Sequence, residues 1–249
     1  MHDITTLSKG YGTLTHDASK TKMIQKGLQA GMPIVLGYLP VAVTFGVLAS
    51  QVGMSLTELT LMSALVYAGA SQFMGANMIA AQASAIEIVV ATFVLNFRHF
   101  IMSFSFSNLV RETIPLKSRL LLSLGLTDET FAVTSLKKEN AGEKNSGYFF
   151  GTVILIAYLS WVSGSFIGGL LGEIIPEQLS QSMGIALYAM FIGLLVPAVK
   201  KSLRLLLIAL VAMFVNLLFS QFISPGWSIV LGTVIGGATG IYFLKDEDL

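Results

Sequence analysis

The sequence predicts an all-α polytopic membrane protein. Of its 249 residues, 54% are hydrophobic and only 12% are charged, whereas a soluble domain carries about 25% charged residues. The mean hydropathy is +0.75. Several apolar runs reach about 20 residues, the length that a helix needs to cross the hydrocarbon core of a bilayer.

Composition excludes several functional classes. The net charge is +1, which gives no reason to expect nucleic-acid binding. The chain has no cysteine, so disulfides, thiol catalysis and cysteine metal sites are excluded. Residues 1–27 are polar and lysine-rich, and we expect a cytoplasmic tail there, followed by a single transmembrane domain over 28–249. The tail lacks the apolar core of a signal peptide, so we expect the membrane segments to direct insertion.

Apolar runs define the expected helices in chain order. Full spans are predicted at 28–50, 88–110, 148–171, 182–199, 203–223 and 227–244. Two further stretches, 58–82 and 116–136, are apolar but interrupted. The interruptions are Gly69, Ser71, Gln72, Gly75 and Asn77 in one, and Thr127, Asp128 and Glu129 in the other.

The distribution of positive charge predicts how the interrupted stretches behave. If both re-enter on the side they came from, every Lys and Arg except Arg98 lies in the cytoplasm, as do both termini. If both cross fully, there are eight spans, and Arg111, Lys117 and Arg119 lie outside. The charges therefore favour six full transmembrane helices plus two broken or re-entrant elements, with eight spans as the alternative.

Glycine and proline mark possible helix breaks. The first span contains Gly37, Pro40 and Gly46, a pattern typical either of close helix packing or of a discontinuous helix around a mid-membrane site. Gly69 and Gly75 would allow the backbone to break within 58–82. These five positions are the candidates for hinges.

Arg98 and His99 lie at the centre of the 88–110 span. A charged side chain there costs on the order of 3 kcal/mol, so such residues usually face a partner or a water-filled path. Asn96 and His99 share a helix stripe with Ser103 and Ser107. Two interpretations stay open: structural hydrogen bonds between helices, or a transport site in which His99 relays protons, because an imidazole titrates near neutral pH.

The other candidate side chains lie in the interrupted stretches. Asp128 and Glu129 either sit at a capped helix start or pair with Arg98, leaving one acid for a substrate amine or a proton. Ser71 and Gln72 either pack a polar kink or hold the zwitterionic end of a small molecule. The predicted site is therefore Ser71, Gln72, Asn96, Arg98, His99, Asp128 and Glu129.

No catalytic or metal-binding spacing competes with this site. The chain contains no HExxH, Walker A or GxSxG motif, so we expect no enzyme activity, no cofactor and no metal. Two rival functions stay open: a passive channel for small solutes, and an intramembrane hydrolase using Ser71 with His99.

Four segments resemble the AzlC-type family, the large subunit of branched-chain amino acid exporters. They are GYLPVAVTFG at 37–46, YAGASQF at 67–73, NFRH at 96–99 and TDE at 127–129. The resemblance implies a two-component secondary transporter with a small hydrophobic AzlD-type subunit. It also implies proton-driven efflux of branched-chain amino acids, with methionine and leucine analogues in some members, across the bacterial cytoplasmic membrane.

Overall fold

The computed structural model describes residues 19–172, 174–176, 182 and 185–243, and all regular elements in this part of the chain are helical, as predicted. Within these described ranges, three helices are long and apolar enough to cross a membrane, namely α1, α4 and α7. In chain order the helices are α1 (Lys20–Gln51), α2 (Leu56–Leu65), α3 (Gly69–Ala80), α4 (Ala85–Leu109), α5 (Leu116–Ser123), α6 (Asp128–Leu136), a 3₁₀ turn (Lys138–Gly142), α7 (Ser146–Leu171), α8 (Ile185–Lys201), α9 (Leu203–Phe219) and α10 (Pro225–Phe243).

Both interrupted stretches are broken into pairs of short helices. The first broken pair is α2 and α3, of 10 and 12 residues, separated by a break at 66–68. The second broken pair is α5 and α6, of 8 and 9 residues, separated by a break at 124–127. A helix needs about 20 residues to cross a bilayer, so none of these four crosses alone. Whether each pair re-enters or crosses stays a prediction.

The ends of the chain are described in part. Helix α1 begins at Lys20 and so includes the last residues of the predicted tail, whereas residues 1–18 lie outside the described chain. The predicted spans 182–199, 203–223 and 227–244 correspond to α8, α9 and α10, apart from the beginning of the first, which is not described. The side of the membrane on which the termini lie stays a prediction.

Helix α1 is continuous through Gly37, Pro40 and Gly46, so the discontinuous first span, one of the two alternatives, is not what the structure shows. The Thr44 hydroxyl donates to the Pro40 carbonyl oxygen at 2.9 Å. A Cβ added at Gly46 would collide with the backbone carbonyl oxygen of Ser165 on α7. At Gly46, therefore, the small residue serves close helix packing rather than a break.

The described chain divides into two compact units, named here by the broken pair that each contains. The α5–α6 unit consists of the described residues up to Ile34 and of Ile101–Ala157. In its core the buried rings of Phe106 and Phe149 meet that of Phe150 edge to face, with centroids 5.6 and 5.0 Å apart.

The α2–α3 unit consists of Val35–Phe100 and of the described residues from Tyr158 onward. Its core contains Phe45 of α1 and Phe73 of α3, whose ring centroids lie 5.5 Å apart. Each unit thus combines one broken pair with parts of α1, α4 and α7.

The close approach at Gly46 predicts an unequal response of two glycines in α1. Gly46→Ala should lower the free energy of unfolding by about 1–3 kcal/mol, because the added methyl group has no room against α7. Gly37→Ala is the matched control, since no described atom outside the local helix lies within 4 Å of where its Cβ would be. Thermal unfolding of the purified variants in one detergent measures the difference. Equal midpoints for the two variants would contradict the packing interpretation.

Candidate functional site

The break between α2 and α3 is built around Tyr67. This residue has a φ of 44°, in the left-handed region that non-glycine residues seldom adopt. Its ring meets that of Tyr158 on α7 edge to face at 5.0 Å. The Tyr158 hydroxyl donates to the carbonyl oxygen of Ala64, in the last turn of α2, at 2.9 Å. Contacts from α7 therefore support the unusual backbone and satisfy an acceptor that α2 leaves at its end.

A ring of buried hydrogen bonds joins both short helices to α7. The indole N–H of Trp161 donates to the Gln72 side-chain oxygen at 2.8 Å, and the Gln72 amide nitrogen donates to the Ser63 hydroxyl at 2.8 Å. The Ser63 hydroxyl donates to the Ser165 hydroxyl at 2.7 Å, and Ser165 donates to the Trp161 carbonyl at 2.9 Å. All four side chains are buried. Gln72 thus links helices, and its predicted contact with a substrate stays a prediction.

Ser71 and Asn96, two of the predicted site residues, are brought together. The Ser71 hydroxyl donates to the Asn96 side-chain oxygen at 2.6 Å, which ties the first turn of α3 to α4. Ser71 is fully buried and Asn96 is half-buried. Arg98 and His99 follow on the same helix and are also half-buried. The structure therefore brings Ser71 and Asn96 together at the junction of α3 with the middle of α4, and Arg98 and His99 lie in the next half-turn of α4.

The remaining serines of the α4 stripe bind α5. The Ser103 hydroxyl donates to the carbonyl oxygen of Ser123, the last residue of α5, at 3.3 Å. The Nη1 atom of Arg119 donates to the Ser107 carbonyl oxygen at 3.0 Å and to the Ser107 hydroxyl at 3.3 Å. These contacts fit the structural interpretation of the two serines.

Asp128 and Glu129 form the first turn of α6. Thr127 caps this helix: its hydroxyl accepts from the Thr130 N–H at 3.3 Å, while the Thr130 hydroxyl accepts from the Thr127 N–H at 2.8 Å. The two acids are half-buried at the positive end of the helix dipole, as the capping interpretation predicts. They belong to the α5–α6 unit and Arg98 to the other unit, so the predicted pairing with Arg98 stays a prediction.

A cavity of about 390 Å³ runs along α3. It begins at Ala70, next to Ser71, and continues past Met74 and Met78 to Asn77 and Ala81, with Phe73 and Ile229 of α10 completing its wall. Its lining is apolar except for the amide of Asn77. Flexible thioether side chains adapt to apolar guests of different shapes. The cavity can therefore accept an aliphatic group next to the polar start of α3.

Sequence reasoning missed the residues of α7 that support this site. Tyr158, Trp161 and Ser165 stand in an apolar span, with Trp161 and Ser165 four residues apart on one helix face. A tryptophan with a hydroxyl residue one turn away was the available signal. Within the described ranges, no group of three or more His, Asp and Glu could hold a metal ion.

Comparisons with known proteins agree with one another. A family model described as AzlC protein matches residues 33–175. An uncharacterised membrane protein of Archaeoglobus fulgidus is 36% identical over 74% of this chain and 80% of its own length. Inner membrane protein YgaZ of Escherichia coli is 28% identical over 71% of this chain and 73% of its own length.

One relative has a transport name. The branched-chain amino acid transport protein AzlC of Bacillus subtilis is 27% identical over 65% of this chain and 62% of its own length. No solved structure matches the chain.

Proposed function

Because this chain belongs to the AzlC family, we propose that it is a secondary transporter that exports branched-chain or other apolar amino acids. One arrangement in the structure supports this proposal. That arrangement is the α2–α3 break, where Ser71 is hydrogen-bonded to Asn96 and the neighbouring residue Ala70 lines an apolar cavity. The name of the Bacillus subtilis relative supports the substrate class.

The proposed site divides an amino acid between polar and apolar surroundings. Ser71, Asn96 and the backbone of the break would hold the zwitterionic end, as broken helices do in other transporters. Arg98 would bind the carboxylate, because a guanidinium matches the two oxygens of that group. The cavity along α3 would accept the aliphatic side chain. Alternating access around this site would then carry the substrate across the membrane.

Uphill export needs coupling to an ion. The zwitterion carries no net charge, so a gradient of another species must supply the driving force. The proton is the simplest candidate, with His99 as the proton-coupled switch and Asp128 or Glu129 as a second proton-accepting group.

A small hydrophobic AzlD-type subunit is the proposed partner, and α4 is the surface that it would cover. Only 6% of the most apolar 18-residue stretch of α4 is buried, whereas 50% of the corresponding stretch is buried in α1 and in α7. The rings of Phe93, Phe97 and Phe100 form a row on its exposed side, with centroids 6.4 and 5.9 Å apart. A partner helix can hydrogen-bond to polar side chains next to this row, whereas lipid acyl chains cannot.

Counterflow in proteoliposomes tests the transport proposal. With the small-subunit candidate co-reconstituted, unlabelled internal leucine should drive uptake of labelled leucine, because a carrier exchanges substrate across one saturable site. Arg98→Ala should abolish counterflow, whereas Arg111→Ala, which changes an exposed arginine, should leave the rate unchanged. Flux without saturation or counterflow would indicate a channel, hydrolysis without flux would indicate an enzyme, and a full-rate Arg98→Ala variant would remove Arg98 from the site.

His99→Gln tests the proton-coupled switch. The amide hydrogen-bonds but does not titrate, so the variant should bind leucine with nearly the ordinary affinity while its flux loses most of its dependence on pH. The flux of both proteins is measured from pH 5.5 to 8, a range around the ordinary pKa of a histidine side chain, about 6.5. A pH profile identical to that of the unsubstituted protein would exclude the relay.

A single engineered cysteine tests the proposed topology. The chain contains no cysteine, so Lys117→Cys provides one thiol. With six full spans and both termini in the cytoplasm, an impermeant maleimide should reach this thiol only after the cells are opened. Labelling of intact cells would instead favour eight spans.

A further inference from the structure

We propose that Trp161 of α7 is a positioning residue of the transport site: it fixes the first turn of α3 so that Ser71 stays directed at Asn96. This inference rests on the proposed transport function. The sequence did not single out Trp161, which lies 89 residues from its hydrogen-bond partner Gln72.

Trp161 holds α3 at two points. Its indole N–H donates to the Gln72 side-chain oxygen at 2.8 Å. Its six-membered ring covers Gly69, where an added Cβ would lie 2.7 Å from the indole Cη2 atom. Gly69 and Gln72 are the first and fourth residues of α3, and Ser71 lies between them. The direction of the Ser71 side chain is therefore set by the two residues that Trp161 holds.

The hydrogen-bond ring through Ser63 and Ser165 begins and ends on Trp161. It leaves from the indole N–H and returns through the Ser165 hydroxyl to the Trp161 carbonyl oxygen. Because each donor points to the next acceptor, a lost link leaves a buried polar atom unsatisfied. The ring thus fixes α2 and α3 together against one turn of α7.

Helix α1 fixes the orientation of the indole. The Tyr38 ring meets the Trp161 ring edge to face, with centroids 5.3 Å apart and an interplanar angle of 75°. Trp161 itself is only 2% exposed. It therefore acts on the site through Gln72 and Gly69 rather than by touching a substrate.

Leucine counterflow with the full chain and its co-reconstituted small subunit tests this role. Trp161→Phe keeps an aromatic ring and removes the N–H donor. We expect its KM for leucine to rise by up to about tenfold, the limit reached if the free energy of one ordinary hydrogen bond is lost entirely from substrate binding, while the maximal rate per folded protein changes much less. Trp227→Phe is the matched control: it changes the other of the two tryptophans, which is 41% exposed, and should leave KM unchanged.

A second pair of variants separates positioning from general stability. Gly69→Ala pushes a methyl group against the indole and should also raise KM. Phenylalanine is shorter and leaves this space open, so Gly69→Ala combined with Trp161→Phe should raise KM no further than Trp161→Phe alone. This non-additive result requires direct coupling of the two residues. If Trp161→Phe does not fold, Ser165→Ala breaks the same ring and should raise KM in the same direction.

The outcomes separate this inference from the proposed function. An ordinary KM in the Trp161→Phe and Gly69→Ala variants, with counterflow intact in the unsubstituted protein, would overturn the positioning role and leave the transport function standing. A lower folded yield with an ordinary KM would show a purely structural role and overturn it equally. Absence of leucine counterflow in the unsubstituted protein would overturn the transport function and this inference with it.

Discussion

A helix that breaks inside a bilayer leaves backbone groups that lipid cannot hydrogen-bond, and the α2–α3 unit is organised around that constraint. Helix α7 satisfies it. The Tyr158 hydroxyl binds a carbonyl oxygen at the end of α2, and the hydrogen-bond ring through Trp161 fixes the start of α3. These contacts require α7 to lie close to its neighbours, which the glycine at position 46 of α1 permits. The packing of α1 with α7 and the geometry of the break therefore depend on each other.

Much of the fold could be predicted because its signals are local. Hydropathy predicts the three long spans within a few residues of their observed ends, apart from the start of α1. Gly69 and Thr127 lie at the two breaks, but the predicted hinge at Gly75 is wrong, because α3 is continuous through it. The polar stripe on α4 follows from helical spacing alone, and three of its members make hydrogen bonds to the broken pairs: Asn96, Ser103 and Ser107. Periodicity reveals such a stripe but not the partner of each side chain.

The rest depended on contacts between distant parts of the chain. Ser63 and Ser165 are 102 residues apart, and neither lies in a motif that predicts their hydrogen bond. The continuity of α1 was equally beyond local reasoning. A proline removes one backbone donor whether a helix kinks, breaks or continues. Which of these occurs at Pro40 depends on how the whole of α1 packs in the fold, and a sequence pattern does not contain that information.

The α5–α6 unit, taken by itself, follows the same plan with different chemistry. Here too a hydroxyl on a long helix, that of Ser103, donates to a carbonyl oxygen at the end of the first short helix, that of Ser123. The first turn of the second short helix again contains two polar residues, but these are the acids Asp128 and Glu129 instead of Ser71 and Gln72. A neutral helix start suits a zwitterion without net charge, whereas a carboxylate can gain and lose a proton. Under the proposed function, substrate would bind at the first broken pair, and the second broken pair would supply the proton-accepting group that acts in addition to His99.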